Sequence, residues 1–376
     1  MSTNYQVCSR CVMDTTSSEI KFDSEGVCSF CKEYDDNANS DLHNSAEDQK
    51  NLENFFKKIK RKRKKNKYDC LIGVSGGVDS SYVAYVLKRK YNLNPLAIHL
   101  DNGWNSELAV SNVESLMKKL EIDLITHVLD WNEFKDIQLS FLKSSISNIE
   151  IPTDHAIWAI LLRTASSMKI PYIIAGNNVV TESIMPKSWL YQSKDSKLIK
   201  SIYKKFGLKN KIKNLPMLSI FDFIYFLIFK RIKWIPLLNY IDFNKETAKN
   251  TLMQELQWRD YGGKHYESIF TRFFHSYYLV NKFGFDLRRP YLSALICSQQ
   301  ISREEALKEL SFLPAEKEII KADKLYVAKK LNLTESEFDS IINKKNKTFS
   351  DYGNLNFLWL SFSKLIKVLR RFVTSV

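Results

Sequence analysis

The stretch CLIGVSGGVDSSYVAYVL, residues 70–87, decides the fold. An apolar, β-forming run ends at Val74, two glycines follow, and a helix-like run begins at Val78. A turn that leaves a strand and enters a helix points several backbone N–H groups at one spot, where the positive end of the helix dipole also lies. Gly76 and Gly77 let that backbone approach an anion with no Cβ in the way, and Ser75, Ser80 and Ser81 add hydroxyls. Asp79 suits an anion site only when a cation such as Mg2+ bridges it to phosphate. The loop lacks the lysine of a Walker A sequence.

Outward from this loop, strand and helix candidates alternate from Tyr68 to Gly176: DCLIGV, VDSSYVAYVLKRKY, PLAIHL, SELAVSNVESLMKKL, DLITHVL, a helix after Trp131, HAIWAILLRTASSMK and YIIAG. Such alternation predicts an α/β fold, a doubly wound parallel sheet with helices on both faces. Ligands bind at the carboxyl ends of such strands, so the loops at Ser75, Asp101, Asp130 and Gly176 become the candidates. Asp154 and His155 open a helix at the same edge, with capping the simple role for Asp154. Past residue 180 the alternation stops, and a mainly helical region is expected.

Cys8, Cys11, Cys28 and Cys31 form C-x2-C-x16-C-x2-C, a spacing in which two turns present four thiolates to one tetrahedral Zn2+. Four ligands leave no open position, so the metal is expected to be structural; disulfides and an iron–sulfur site are the alternatives. Cys70 and Cys297 read as packing.

The expected division is 1–40 zinc ribbon, 41–67 linker and basic helix, 68–185 ATP-binding domain and 186–376 helical substrate or partner region. The opening MSTNYQVCSR has no apolar signal core, which reads as cytoplasmic. Of the 56 Lys and Arg against 42 Asp and Glu, nine lie in Lys57–Lys67, a run read as a solvated helix end or linker. Asp222 and the basic residues after Phe229 interrupt the apolar segment 215–243, too short a run for the roughly 18–20 residues of a spanning helix. That segment and the amphipathic basic tail, Leu355–Val376, leave peripheral contact with the inner face of the cytoplasmic membrane open.

S-G-G-V-D-S in this context resembles the PP-loop of ATP pyrophosphatases, a HUP-like adenine nucleotide hydrolase fold. The resemblance implies that Ser75, Gly76, Gly77, Val78, Asp79 and Ser80 cradle pyrophosphate, with Asp101 and Gly176 beside the nucleotide. Together with CSRCVMDTT, the stretches AGNNVVTES (175–183), WRDYGGKHYES (258–268) and KFGFDLRRPYLSALICSQQISREEAL (282–307) resemble the N-acetyl sugar amidotransferases of bacterial surface-polysaccharide biosynthesis. That resemblance implies ATP and Mg2+, an acetamido group on a nucleotide-linked sugar converted to an acetamidino group, and ammonia from a separate glutaminase subunit of the histidine-biosynthesis type. The chain itself has no glutaminase nucleophile elbow. Asp79, Ser80 and Glu182 are the expected catalytic residues, Asp79 also holding Mg2+. Arg259, Lys264, His265, Arg288 and Arg289 are expected to bind a sugar carboxylate or diphosphate, and the YGG of 261–263 to approach ligand. No nucleic acid is expected as partner. The competing reading is a tRNA-modifying PP-loop enzyme, of thiolation or lysidine type.

Overall fold

The computed structural model describes residues 5–62, 66–263 and 266–361. Five parallel strands form one sheet: β1 Cys70–Gly73, β2 Pro95–Asp101, β3 Asp123–Val128, β4 Tyr172–Ala175 and β5 Lys233–Pro236. Their spatial order is β3-β2-β1-β4-β5. The chain therefore winds outward from β1 in one direction and then in the other. The crevice where the order reverses lies between β1 and β4, at their carboxyl ends.

Alternation along each strand builds two layers. Cys70, Ile72, Ala97 and Ile174 face the helices Ala46–Lys62, Val78–Tyr85, Glu107–Leu120 and Lys245–Leu256. Leu71, Leu96, Ile98 and Ile173 face the helix Ile151–Ser167 and the segment Ile220–Phe229. β5 lies inside the segment whose sequence suggested helix. Only its first part is helical, because Lys230 and Arg231 end the apolar run and KWIP pairs with β4. The helix that precedes β4 starts at Ile151 with Glu150 at its N-cap, so Asp154 sits inside the first turn and does not cap it.

A second core has its own helices. The helix Trp131–Ser144 leaves the sheet and packs on Ser196–Phe206, alongside Phe270, Phe273, Tyr278, Val327 and Phe338. Buried Glu133 fastens this unit by accepting the N–H groups of Lys213, Asn214 and Leu215 at 2.6–2.8 Å. His155 is also buried: its Nδ1–H donates to Ser193 O and its Nε2 accepts from Leu218 N–H. Burial lowers its pKa to about 4, so it is neutral and structural.

Candidate active site

β1 delivers the chain into the crevice, and the loop turns there at Gly76, whose φ of +91° is one that favours glycine. Gly77 is the N-cap of Val78–Tyr85. The loop is held by its own serines. Ser75 N–H donates to Ser80 Oγ at 3.3 Å, Gly77 N–H to Ser75 Oγ at 3.2 Å, and Ser80 Oγ–H to Gly77 O at 3.3 Å. These bonds are longer than the optimum for N–H···O. A phosphate oxygen can replace these acceptors at little cost, and Ser75 is exposed to receive one.

The end of β4 completes the cradle. A Cβ on Gly176 would lie 3.0 Å from the carbonyl carbon of Asp79 and 3.1 Å from Ser80 N, so glycine lets the end of β4 lie against the first turn of Val78–Tyr85. At the end of β2, Asp101 Oδ1 accepts from Gly103 N–H at 2.8 Å and shapes the adjoining turn.

The segment 258–268 returns from far along the chain to close over the loop. Trp258 Nε1–H and Tyr261 O–H both donate to Gly76 O, at 2.8 and 3.0 Å. A carbonyl with both lone pairs engaged holds the Gly76–Gly77 peptide in one orientation, which aims the Gly77 N–H. The YGG stretch thus approaches the phosphate loop through its tyrosine side chain, not through its own backbone.

Glu267 is the site residue that sequence reasoning did not single out. Its Oε1 lies 3.5 Å from Ser75 Oγ and 3.1 Å from the position a Cβ would take on Gly77. Backbone pairing puts it there: Ser106 N–H donates to Glu267 O, Ile269 N–H to Trp104 O, and Asn105 bridges to Ser268. A carboxylate at the mouth of an anion cradle suits phosphate only with a divalent cation between them.

Behind Glu267 stands Glu150, which accepts the Thr271 hydroxyl at 2.5 Å. Burial, with Asp154 and Glu267 nearby, pushes the Glu150 carboxyl up to about 8, against the pull of the Thr271 hydrogen bond. At neutral pH it is largely protonated. The sign of the linkage follows: the unfolded chain loses this proton near 4.5 and the folded protein near 8, so stability falls as pH rises through that window and is level above it. The slope should sum to a few kcal/mol, and Glu150→Gln, whose amide oxygen can still accept from Thr271, should abolish it in urea titrations at acidic and alkaline pH.

Other expected residues fall elsewhere. Glu182 ends the short helix Val179–Glu182 beyond Gly176 and is exposed. Arg259 lies against the helix Glu107–Leu120, donating to Ser111 Oγ at 3.0 Å. Lys264 and His265 lie outside the described residues. Arg288 is bidentate to Asp286 and donates to Glu309 O and Phe312 O. Arg289 pairs with buried Asp14 and donates to Val12 O. Both guanidinium groups are committed to holding the protein together, which corrects their expected place at a substrate; the local sequence shows two adjacent arginines and Asp286, but not Asp14 or the carbonyls that also engage them.

Arg289 belongs to the mooring of the N-terminal unit. Arg303 donates to Cys8 O and Cys11 O, and Val12 N–H to Ser293 Oγ. The four cysteines converge, fully buried, their sulfurs within 4.8 Å of one another. Adjacent Sγ atoms stand 3.7–3.8 Å apart. Four sulfurs at about 2.3 Å from one tetrahedral ion lie at this spacing, whereas a cluster of several metals would spread them. Cys297 Sγ sits 3.9 Å from Cys31 Sγ, at the rim of this group and not in general packing.

Residues 49–150 match the family model of NAD synthase, and residues 267–366 that of the LPS biosynthesis protein WbpG-like, C-terminal domain. The second match begins at Glu267 itself. Residues 49–150 are thus similar to NAD synthase and residues 267–366 to the WbpG-like C-terminal domain. An uncharacterized protein of Methanocaldococcus jannaschii is 23% identical over 265 residues, 69% of this chain and 78% of that one. Among solved structures, the NH3-dependent NAD synthetase of Campylobacter jejuni shares 18% identity and covers 56% of this chain and 87% of its own, with a TM-score of 0.28. The U34-tRNA thiolase of Methanococcus maripaludis shares 17%, covering 68% and 83%, with a TM-score of 0.27. Likeness at this level says nothing of activity. The loop Ser75–Ser80 lies in the part that matches NAD synthase, and Glu267 opens the part that matches the WbpG-like domain.

Proposed function

We propose that this protein is an ATP-dependent amidotransferase that converts an acetamido group on a nucleotide-linked or related sugar into an acetamidino group, in lipopolysaccharide, O-antigen or related surface-glycan biosynthesis. One observation carries the reading: the phosphate loop of an ATP-using fold is closed by Glu267, the first residue of a segment that matches a lipopolysaccharide-biosynthesis domain.

The chemistry uses the site as follows. An amide carbonyl is a poor electrophile and its oxygen a poor leaving group. The amide oxygen attacks the α-phosphorus of ATP, pyrophosphate leaves, and an O-adenylyl imidate forms. Ser75 and Gly77 N–H groups, with the Ser75 and Ser80 hydroxyls, receive the departing pyrophosphate, and the Trp258–Gly76–Tyr261 bonds keep those donors aimed. Ammonia then adds to the imidate carbon, a proton passes from the added nitrogen to the former amide nitrogen, and AMP leaves. Asp79 and Glu267 would hold Mg2+, which when bound would neutralise the phosphates, and Glu182, past the end of β4, is the remaining carboxylate assigned to catalysis. Arg259, exposed beside the helix Glu107–Leu120, and Lys264 and His265 of the same segment are the basic groups assigned to the sugar. Zn2+ is assigned to the four cysteines, because it takes four thiolates at the observed spacing.

Ammonia is assigned to a separate glutaminase subunit of the histidine-biosynthesis type. Purified protein with ATP, Mg2+ and ammonium at alkaline pH should therefore turn over, whereas glutamine alone should not. Mass spectrometry with a panel of UDP- and CMP-linked and free diacetamido sugars should show AMP and a product lighter by the difference between O and NH. Glutamine-dependent turnover by the isolated chain would remove the separate subunit. AMP formation that needs tRNA and ignores every sugar would replace the sugar reading with tRNA modification.

A further inference from the structure

The helix Ile220–Ile224 runs on through a π-helical turn, Tyr225–Phe229. Ile220, Phe223 and Phe226 are buried on the sheet layer. The other side is bare: Phe221 is 77% exposed and Phe229 73%, with Tyr225 and Ile228 also exposed. Spacing of 221, 225, 228 and 229 places these side chains on one face. Its one acid, Asp222, is turned away onto Ser219, accepting that residue's N–H and O–H at 2.7 Å each. Exposed Lys230, Arg231 and Lys233 follow directly, and Lys230 Nζ lies 5.4 Å over the Tyr225 ring.

A second apolar group lies beside it. Trp359 packs edge-on against Phe223 at 5.1 Å and leaves Phe357 80% exposed, with Leu358 and Leu360. The sequence continues, outside the described residues, with Lys364, Lys367, Arg370 and Arg371 and no acid from 362 to 376.

We infer that this face seats the protein on an anionic phospholipid bilayer. Protein interfaces deplete lysine at their cores. Exposed aromatic rings edged by lysine and arginine, with the helix's one carboxylate engaged by Ser219, match the headgroup boundary, where rings enter the acyl edge and cations meet lipid phosphate. Among the described residues no helix is long and apolar enough to cross a membrane, so the contact is at the surface. This inference does not depend on the reaction proposed above.

Flotation of the full chain with phosphatidylcholine vesicles, with and without phosphatidylglycerol, tests it. Wild type should float with the anionic vesicles only and be released by high salt. Phe221→Ser/Phe229→Ser should bind roughly tenfold less, while keeping the wild-type melting temperature because both rings are exposed. Wild type that stays at the bottom with anionic vesicles overturns the inference, as does a double variant that floats like wild type. A dimer in light scattering that the double variant abolishes, with no flotation, overturns it in favour of a second copy.

Discussion

Asp79→Asn should lower AMP formation by roughly 10²–10³-fold while leaving the fold intact. The substitution keeps the shape of the side chain and removes its charge. Asp79 lies in the first turn of Val78–Tyr85, where a carboxylate favours the helix by only about 0.3–1 kcal/mol, so the loss in stability is small beside the loss in rate. Release of pyrophosphate and AMP, measured against a circular dichroism melt, separates the two effects. Glu267→Gln should act in the same direction, since the same cation would lie between both carboxylates and the phosphates. Its pyrophosphate release should regain part of the rate at high Mg2+, which a merely structural defect would not show. A folded Asp79→Asn protein with wild-type AMP formation would refute the assignment of the loop.

The second large effect is metal loss. A structural zinc contributes about 10–16 kcal/mol to a small ligand unit, comparable to the whole stability of a typical domain. Chelation, or Cys28→Ser, should unfold the N-terminal unit and expose 5–41 to proteolysis. The damage should spread. Arg289, Arg303 and Ser293 hold this unit to helices Arg288–Cys297 and Arg303–Leu310, and Val179 and Ile184, just past Gly176, pack on the cysteine group. A loss of a few kcal/mol should lower Tm by roughly 10 °C and reduce activity with it. Metal analysis should find one zinc per chain. Metal-free protein with a wild-type Tm and a protected N-terminus would show that the cysteines need no ion.

How much of this was written locally can be seen residue by residue. Ser75 to Ser80 could be read as an anion cradle because six neighbouring residues carry the whole signal. The same holds for the cysteines: two C-x2-C turns fix their own geometry. β5 was missed because KWIP is four residues long and opens with lysine, and it becomes a strand only by pairing with β4. Arg288 and Arg289 looked like anion binders, since nothing nearby in sequence except Asp286 shows where their charge goes.

The sequence by itself determined the parallel sheet, the strand–loop–helix turn at Ser75–Ser80 and the four-cysteine cluster, because periodicity and spacing are properties of short stretches of chain. Only the tertiary structure decided what closes the site. Glu267 is 192 residues from Ser75, and Trp258 182 from Gly76. Their meeting depends on the pairing of Asn105 with Ser268 and on the packing of two separate cores, neither of which any local pattern of residues encodes.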